Sequence, residues 1–423
     1  MKIGVYIEHG VGNGVGGAEL AMAHLASVWS RDHAVDLVHH RPPLTPDRLA
    51  LFSDDDFDRV TFRYVPREDE PPAHRSPFAR YAAARDWHRA ASEPYDLFVA
   101  SAHWMPAFCH ARAGALLILF PFYVRPGDSP DIRRLPAWKR TRHAAYYDFE
   151  WRRRLATYQH RFAISGFARD WTRRRWGIDC ELVYPPVDIR FTDRPKEPLI
   201  LSVGRFSTMA HTKKQLEMMD AFRRLQGSAA AGWTYACVGG LNTREENHRF
   251  FERVRAAADG CPAIVEANVD RNTTRGLFER ARIFWLATGF NDDVESRPEL
   301  AEHFGIATVE AMAAGCVPVV INNGGQREIV VHGETGFLWN TLDELVMYTE
   351  RLATDDALWR RMSAAARERS KMFARERFIA RLSEACGVEA RRLVVSPARG
   401  GSAGFAGSER GSSVIETTVG VSR

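Results

Sequence analysis

The chain has 423 residues, 45% of them apolar and 26% charged, with six cysteines and a net charge of +5. Those proportions fit a globular protein of two or three domains, each with its own core, and exclude a disordered or fibrous chain. The cysteines at 109, 180, 237, 261, 316 and 386 form no C-x-x-C pair, which argues against a zinc or disulfide framework and for a reducing cytosol.

No signal peptide is expected, because the strand-like residues 2–7 (KIGVYI) run straight into Glu8 and His9. That first strand feeds a glycine-rich loop and an amphipathic helix, HGVGNGVGGAELAMAHLASVW. Consecutive glycines let backbone amides close on a diphosphate, with Gly16 and Gly17 as the candidates, while Glu19 complements the helix dipole. Dinucleotide enzymes use similar loops with an acid about 20 residues on, here Asp36, so this loop alone leaves a dehydrogenase open. Residues 35–39 read as a second strand. Residues 41–72, rich in prolines and acids, read as irregular, and Asp54-Asp55-Asp56 within them as a solvated loop rather than a metal site. A helix over 80–91 and a strand over 95–100 follow. His103 lies just past that strand's carboxyl end, where open α/β sheets place ligands. It is a candidate acceptor-side base or sugar contact, against the plainer reading of a helix cap.

The next strand, 115–120, ends in Leu119 and Phe120. It sits in the longest apolar run, the 12 residues of 113–124, short of the roughly 20 that a bilayer span needs. Between 133 and 176 there are 13 Lys or Arg and three acids, a local balance of +10, interleaved with Trp138, Tyr146, Tyr147, Trp151, Trp171 and Trp176. The pattern fits a face for an anionic membrane or lipid-linked acceptor, and equally a set of solvated helix faces. No nucleic-acid-binding module is legible. A strand over 161–165 and a helix over 166–176 lead to VYPPVD (183–188) and a proline-rich linker reaching 198.

The second half opens with a strand over 199–203 and Gly204-Arg205-Phe206. KKQLEMMDAFRRL follows as an amphipathic helix with Leu216, Met219 and Phe222 on one face. A strand over 234–239, a polar helix over 243–258, a strand and loop over 263–269, a helix over 277–282 and a strand over 283–289 come next. Residues 291–298 read as a mobile acidic loop. Residues 302–330, EHFGIATVEAMAAGCVPVVINNGGQREIV, then combine a loop, a helix over 307–314 stopped by Gly315, a buried strand over 316–321 and a glycine turn. Gly305 lets the backbone of His303, Phe304, Ile306 and Ala307 approach a ligand, and the helix start adds orphan N–H groups. Glu302 and Glu310 flank that point, one on the loop and the other on the first helical turn, placed to hold two parts of one extended ligand.

Glu302-x7-Glu310, with EAMAAGCVPVV and GGQREIV, resembles the donor-binding signature of the family 4 retaining glycosyltransferases. The GGAE-like segment at 16–19, the VxPPVD exit, the GR pair at 204–205 and HGETGFLW at 332–339 extend the likeness from residue 1 to about residue 385. The form EHFGI is similar to a branch that includes α-mannosyltransferases of lipid-linked oligosaccharide synthesis.

The resemblance implies an α/β chain of GT-B fold, two Rossmann-like doubly wound domains facing a central cleft. Residues 1–192 would bind acceptor and 193–372 the donor. Residues 373–390 would cross back as a helix, and 391–423, ending in a Gly/Ser-rich stretch, would be disordered. It implies a retaining hexosyltransferase that needs no metal or other cofactor and uses a nucleotide-sugar donor, GDP-mannose first and UDP-glucose next. The acceptor would be a hydroxyl of a glycan, a glycolipid or a small metabolite. Placement would be cytoplasmic, with peripheral membrane contact through 133–176. Arg205 and Lys213, with Lys214 as the rival lysine, would face the diphosphate, Glu302 the donor sugar and Glu310 the ribose. Asn268 would belong to the loop that holds the nucleobase. Many family members carry a histidine near the acceptor where this chain has Leu119 or Phe120, a departure that bears on acceptor activation. A nucleotide-sugar epimerase or a non-catalytic sugar-nucleotide-binding protein is the alternative on the same fold.

Overall fold

A computed structural model of the chain describes residues 1–7, 16–40, 44–66, 77–122, 136–208 and 212–389. The first part of the glycine-rich loop and the expected tail at 391–423 lie outside the described residues, as do the side chains of 77–80, 143 and 147.

In the first half the short apolar runs become seven strands: β1 (Lys2–Ile7), β2 (Ala34–His39), β3 (Val60–Tyr64), β4 (Leu97–Ala102), β5 (Ala113–Ile118), β6 (His160–Ala163) and β7 (Glu181–Leu182). They pair in parallel in the order β3-β2-β1-β4-β5-β6-β7. Parallel pairing needs helical crossovers that cover the sheet, so β1, β4 and β5 are buried almost throughout and read as continuous apolar runs. The second half repeats the plan with β8 (Glu197–Val203), β9 (Thr234–Gly239), β10 (Ala263–Ala267), β11 (Ala281–Leu286), β12 (Val317–Ile321) and β13 (Phe337–Trp339). These too are all parallel, in the order β10-β9-β8-β11-β12-β13. Each sheet reverses its winding once, between β1 and β4 in one and between β8 and β11 in the other. In such sheets the crevice at the carboxyl ends of the two diverging strands is the natural ligand site.

The chain passes between the lobes twice, and the two passages pair with each other. Val187 N donates to Phe373 O (3.2 Å) and Arg375 N to Val187 O (3.2 Å). The helix Arg375–Cys386 then packs on the first lobe, where Trp29 Nε1 donates to Ser383 Oγ (2.8 Å) and Arg381 meets Glu181 (2.6 Å). Phe378, Ile379 and Leu382 of this helix are buried.

Three readings change. The irregular region expected over 41–72 contains a helix, Pro46–Ala50, and the edge strand β3. An edge strand pairs on one side only, so Val60–Tyr64 keeps a mixed sequence, and Arg63 donates to Tyr95 Oη (2.9 Å) and Ala90 O (2.8 Å). The acidic triplet lies in a loop with Asp54 and Asp56 exposed, as expected, but it also forms a junction. Asp55, largely shielded, bonds His24 Nδ1 (2.8 Å) and faces Arg375 (3.6 Å), while Asp54 reaches Arg271 of the second lobe (2.5 Å). The helix expected from 277 begins at Arg271, because Asp270 accepts Thr273 N (3.0 Å) as its cap. The expected loop before Glu302 is a run of turns over 291–297 that leads into a short 3-10 helix, Pro298–Leu300, with Arg297 N on Asp293 O (2.9 Å) and Ser296 N on Asp293 Oδ1 (3.2 Å).

The basic segment forms two helices, Ala137–Leu155 and Gly166–Trp176. Arg154 and Arg175 are buried in ion pairs with Glu150 and Glu299. Lys139, Arg140, Arg142, Arg152 and Arg153 stay exposed, together with Trp138 and Phe149. No described helix is long and apolar enough to cross a membrane.

Candidate active site

The carboxyl ends of β4, β5, β8 and β11 meet at one cavity of about 270 Å³. From the first lobe it is lined by Gly17, His103, Leu117 and Leu119, and from the second by Val203, Lys213, Leu286, Glu302, His303, Phe304, Gly305, Ile306 and Ala307. Gly16 caps the helix Gly17–Trp29 next to the cavity. The lobes touch here: a Cβ on Gly17 would lie 2.5 Å from Ile306 Cδ1. That volume sits at the lower edge of the roughly 300–1,000 Å³ usual for small-molecule pockets.

The loop 302–305 is held from behind. Gly325 N donates to Glu302 O (2.8 Å), and the fully buried Gln326 donates to Phe304 O (2.8 Å) while accepting Thr308 Oγ1 (2.9 Å). Gly305 sits at φ 122°, outside the range of other residues, and a Cβ there would collide with Gln326 Nε2. Because Gly305 is the cap and offers no side chain, the first amides of the helix Ile306–Ala313 open toward the cavity without a side-chain partner.

Glu302 Oε2 accepts Lys213 Nζ (2.5 Å) and Thr288 Oγ1 (3.1 Å), so a cation and a carboxylate stand paired on the cavity wall. The two rival lysines diverge. Lys214 adopts a left-handed conformation (φ 56°) that turns the chain, and its ammonium pairs with Asp292 (2.9 Å) outside the cavity. Arg205 is exposed at the end of β8 and does not line the cavity. Asn268, also left-handed at φ 56°, clamps Leu241 through both amide atoms (2.8 and 3.0 Å) away from the cavity wall.

Glu310 is the fifth residue of its helix, on the second turn rather than the first, because the helix starts at Ile306. It lies outside the cavity lining. Burial, then the Asp188 carboxylate, pushes its carboxyl up to about 7, against the pull of Arg271 and Arg275. Behind the cavity lining, fully buried Phe120 stacks flat on His303 (3.9 Å between ring centres, 7° between planes). His103 packs edge-on to Phe122 (5.1 Å) and stands 6.4 Å from His303. It follows a strand rather than capping a helix.

Sequence reasoning missed Thr288, the grouping of Arg271 and Arg275 with Asp188 around Glu310, and Glu328, which reaches the first lobe. Arg271 and Arg275 have the four-residue spacing of one helix face, a signal too common to single them out.

The family described as "Glycosyl transferases group 1" matches residues 188–369. A GDP-Man:Man(3)GlcNAc(2)-PP-Dol alpha-1,2-mannosyltransferase of Dictyostelium discoideum is 26% identical over 226 residues, 50% of this chain and 42% of that protein. The chain therefore spans under half the length of that relative. The fold is shared with a glycosyltransferase of Rickettsia africae (TM-score 0.64, 14% identity, 91% of this chain and 97% of that one). It is also shared with Anabaena HepE in complex with UDP and glucose (TM-score 0.62, 16% identity, 92% and 99%).

Proposed function

From the premise that residues 188–369 form a group 1 glycosyl transferase domain within a two-lobed GT-B fold, we propose that the chain moves a hexose from a nucleotide diphosphate sugar to an acceptor hydroxyl. The observation that carries this reading is the convergence of Lys213, Glu302 and the helix start after Gly305 on one cavity between two switch points. Breaking the bond to the diphosphate builds negative charge on the leaving oxygen. Lys213 and the first amides of Ile306–Ala313 are fixed donors for that charge, and a donor of this kind is worth roughly 3 kcal/mol when removed. Donor binding then replaces the Lys213–Glu302 pair. The ammonium turns to the diphosphate, and the freed carboxylate accepts from the sugar hydroxyls and orients the anomeric carbon. Glu310, one helical turn on from the first, takes the ribose hydroxyls. Transfer proceeds with retention and without a metal, the departing phosphate oxygen accepting the acceptor's proton.

GDP-mannose is the first donor to test, since the Dictyostelium relative's name specifies GDP-Man, and UDP-glucose the second, since HepE holds UDP and glucose. The acceptor is a glycan, glycolipid or small metabolite. The exposed cations and aromatics of Ala137–Leu155 support an acceptor held at an anionic membrane surface, met from its cytoplasmic face. A thermal-shift panel of GDP-, UDP-, ADP- and TDP-sugars, followed by incubation with and without acceptor, tests the reading, because a specific ligand raises stability by mass action. A donor converted into a different nucleotide sugar without acceptor would indicate an epimerase. Binding with neither transfer nor slow hydrolysis would indicate a sugar-nucleotide-binding protein.

A further inference from the structure

The turn after β12 holds two things at once. Through Gly325 and Gln326 it fixes the backbone of the donor loop 302–305. Two residues further on, Glu328 reaches into the other lobe. One carboxylate oxygen accepts Gly166 N and the other accepts Phe167 N, both at 2.7 Å. These amides open the helix Gly166–Trp176, where no intrahelical acceptor exists for them and where negative charge suits the helix dipole. Next to them Ser165 accepts Ala168 N (2.9 Å) and donates to His303 O (2.7 Å). The donor loop is thus gripped from behind by 325–326 and from across the lobe boundary by Ser165, and Glu328 joins the two grips.

Resting on the glycosyltransferase reading above, we propose that Glu328 is a positioning residue for sugar transfer. Its carboxylate locks the first-lobe helix to the donor loop, so Glu302 reaches its working position only with the lobes closed. Both oxygens are engaged by N–H donors, which sets a chemical requirement. A glutamine offers one acceptor and turns an NH2 toward the second N–H. An aspartate keeps the charge and both acceptors but is one methylene shorter.

The test uses the full chain with the donor and acceptor pair identified by the panel. For Glu328→Gln, kcat should fall roughly 100-fold, the scale of a 1 Å misplacement at a reacting centre, while nucleoside diphosphate affinity stays within about 2-fold. The affinity is kept because Lys213 and Gly305 belong to the second lobe alone. Glu328→Asp should recover part of the lost kcat. Small-angle scattering with donor bound should show a larger radius of gyration for Glu328→Gln than for the unaltered chain. Ser165→Ala removes the companion link, and its effect on kcat should combine non-additively with that of Glu328→Gln. Unchanged kcat, or a loss matched by an equal loss of nucleotide affinity, overturns the proposal. If the unaltered chain binds no nucleotide sugar, the glycosyltransferase reading falls instead, and scattering without donor still decides whether Glu328 holds the lobes together.

Discussion

Glu310 offers a measurement that needs no substrate. Its carboxyl titrates at about 7 in the folded chain against an ordinary 4.5, raised by burial and then by Asp188 while Arg271 and Arg275 oppose the rise. A carboxyl that holds its proton more tightly when folded favours folding while protonated. That contribution is complete below about pH 4.5 and is lost as the pH rises through about 7. The difference between 7 and 4.5 corresponds to about 3 kcal/mol at 1.36 kcal/mol per pH unit. It is an upper figure, because the side chain keeps some contact with water. Glu310→Gln preserves shape and does not ionise. It should match the unaltered chain near about pH 4 and be more stable by up to about 3 kcal/mol near about pH 8. Urea midpoints across that range measure the gap, and a gap that does not change with pH refutes the burial argument. Ribose hydroxyls donate best to the ionised carboxylate, so nucleotide affinity should rise with pH through about 7 with release of a proton, and the glutamine variant should show neither effect.

Lys213→Ala should lower kcat by roughly 100- to 1,000-fold with only a small change in melting temperature, since a preorganised donor to the leaving group is lost. Full turnover in a Lys213→Ala, Lys214→Ala double variant would reject the phosphate assignment. Gly305→Ala should cost about 1–3 kcal/mol of stability and abolish nucleotide-induced thermal shifts, because the left-handed backbone and Gln326 Nε2 both resist a Cβ; a normal melting curve argues against that strain. At Asp55 burial by itself would raise the carboxyl, but His24, Ser53 and Arg375 outweigh it and bring it down to about 2. Its contribution is therefore present above about pH 3.8 and lost as the pH falls through about 2. Asp55→Asn should be less stable by about 2 kcal/mol near neutrality, with the deficit closing in acid; an acid-unfolding series showing a constant deficit contradicts this. Glutamates at Lys139, Arg140 and Arg142 should weaken sedimentation with anionic vesicles, and salt should do the same to the unaltered chain. Binding that ignores both changes would remove the membrane reading.

Elements buried on both faces were the most legible. β1, β5 and β12 announce themselves as short apolar runs because a parallel sheet leaves no solvated face to interrupt them. The edge strand β3 and the start of Arg271–Arg280 were missed because half-exposed positions accept polar residues and blur the period. At the site, Glu302, Lys213, Gly17 and His103 were picked out and stand on one cavity wall or another. Arg205, Asn268, Glu310 and Lys214, the last as the rival to Lys213, were also picked out and lie off it. Nothing local distinguishes Lys213 from Lys214. Their separation comes from one left-handed residue and from Asp292, which happens to wait on the far side.

The order of residues was enough to set most strands and helices, the glycine at Gly305 and the spacing of the two glutamates, because strand period, helix stops and backbone freedom are local properties, while the two-lobed plan came from the likeness to the family 4 glycosyltransferases. Tertiary structure alone decided which charges meet. Lys213 finds Glu302 from 89 residues away, and Glu328 finds Gly166 from 162 residues away. Those distances are closed by strand order and by the docking of two lobes, which sum over many weak contacts and leave no mark on any short stretch of chain.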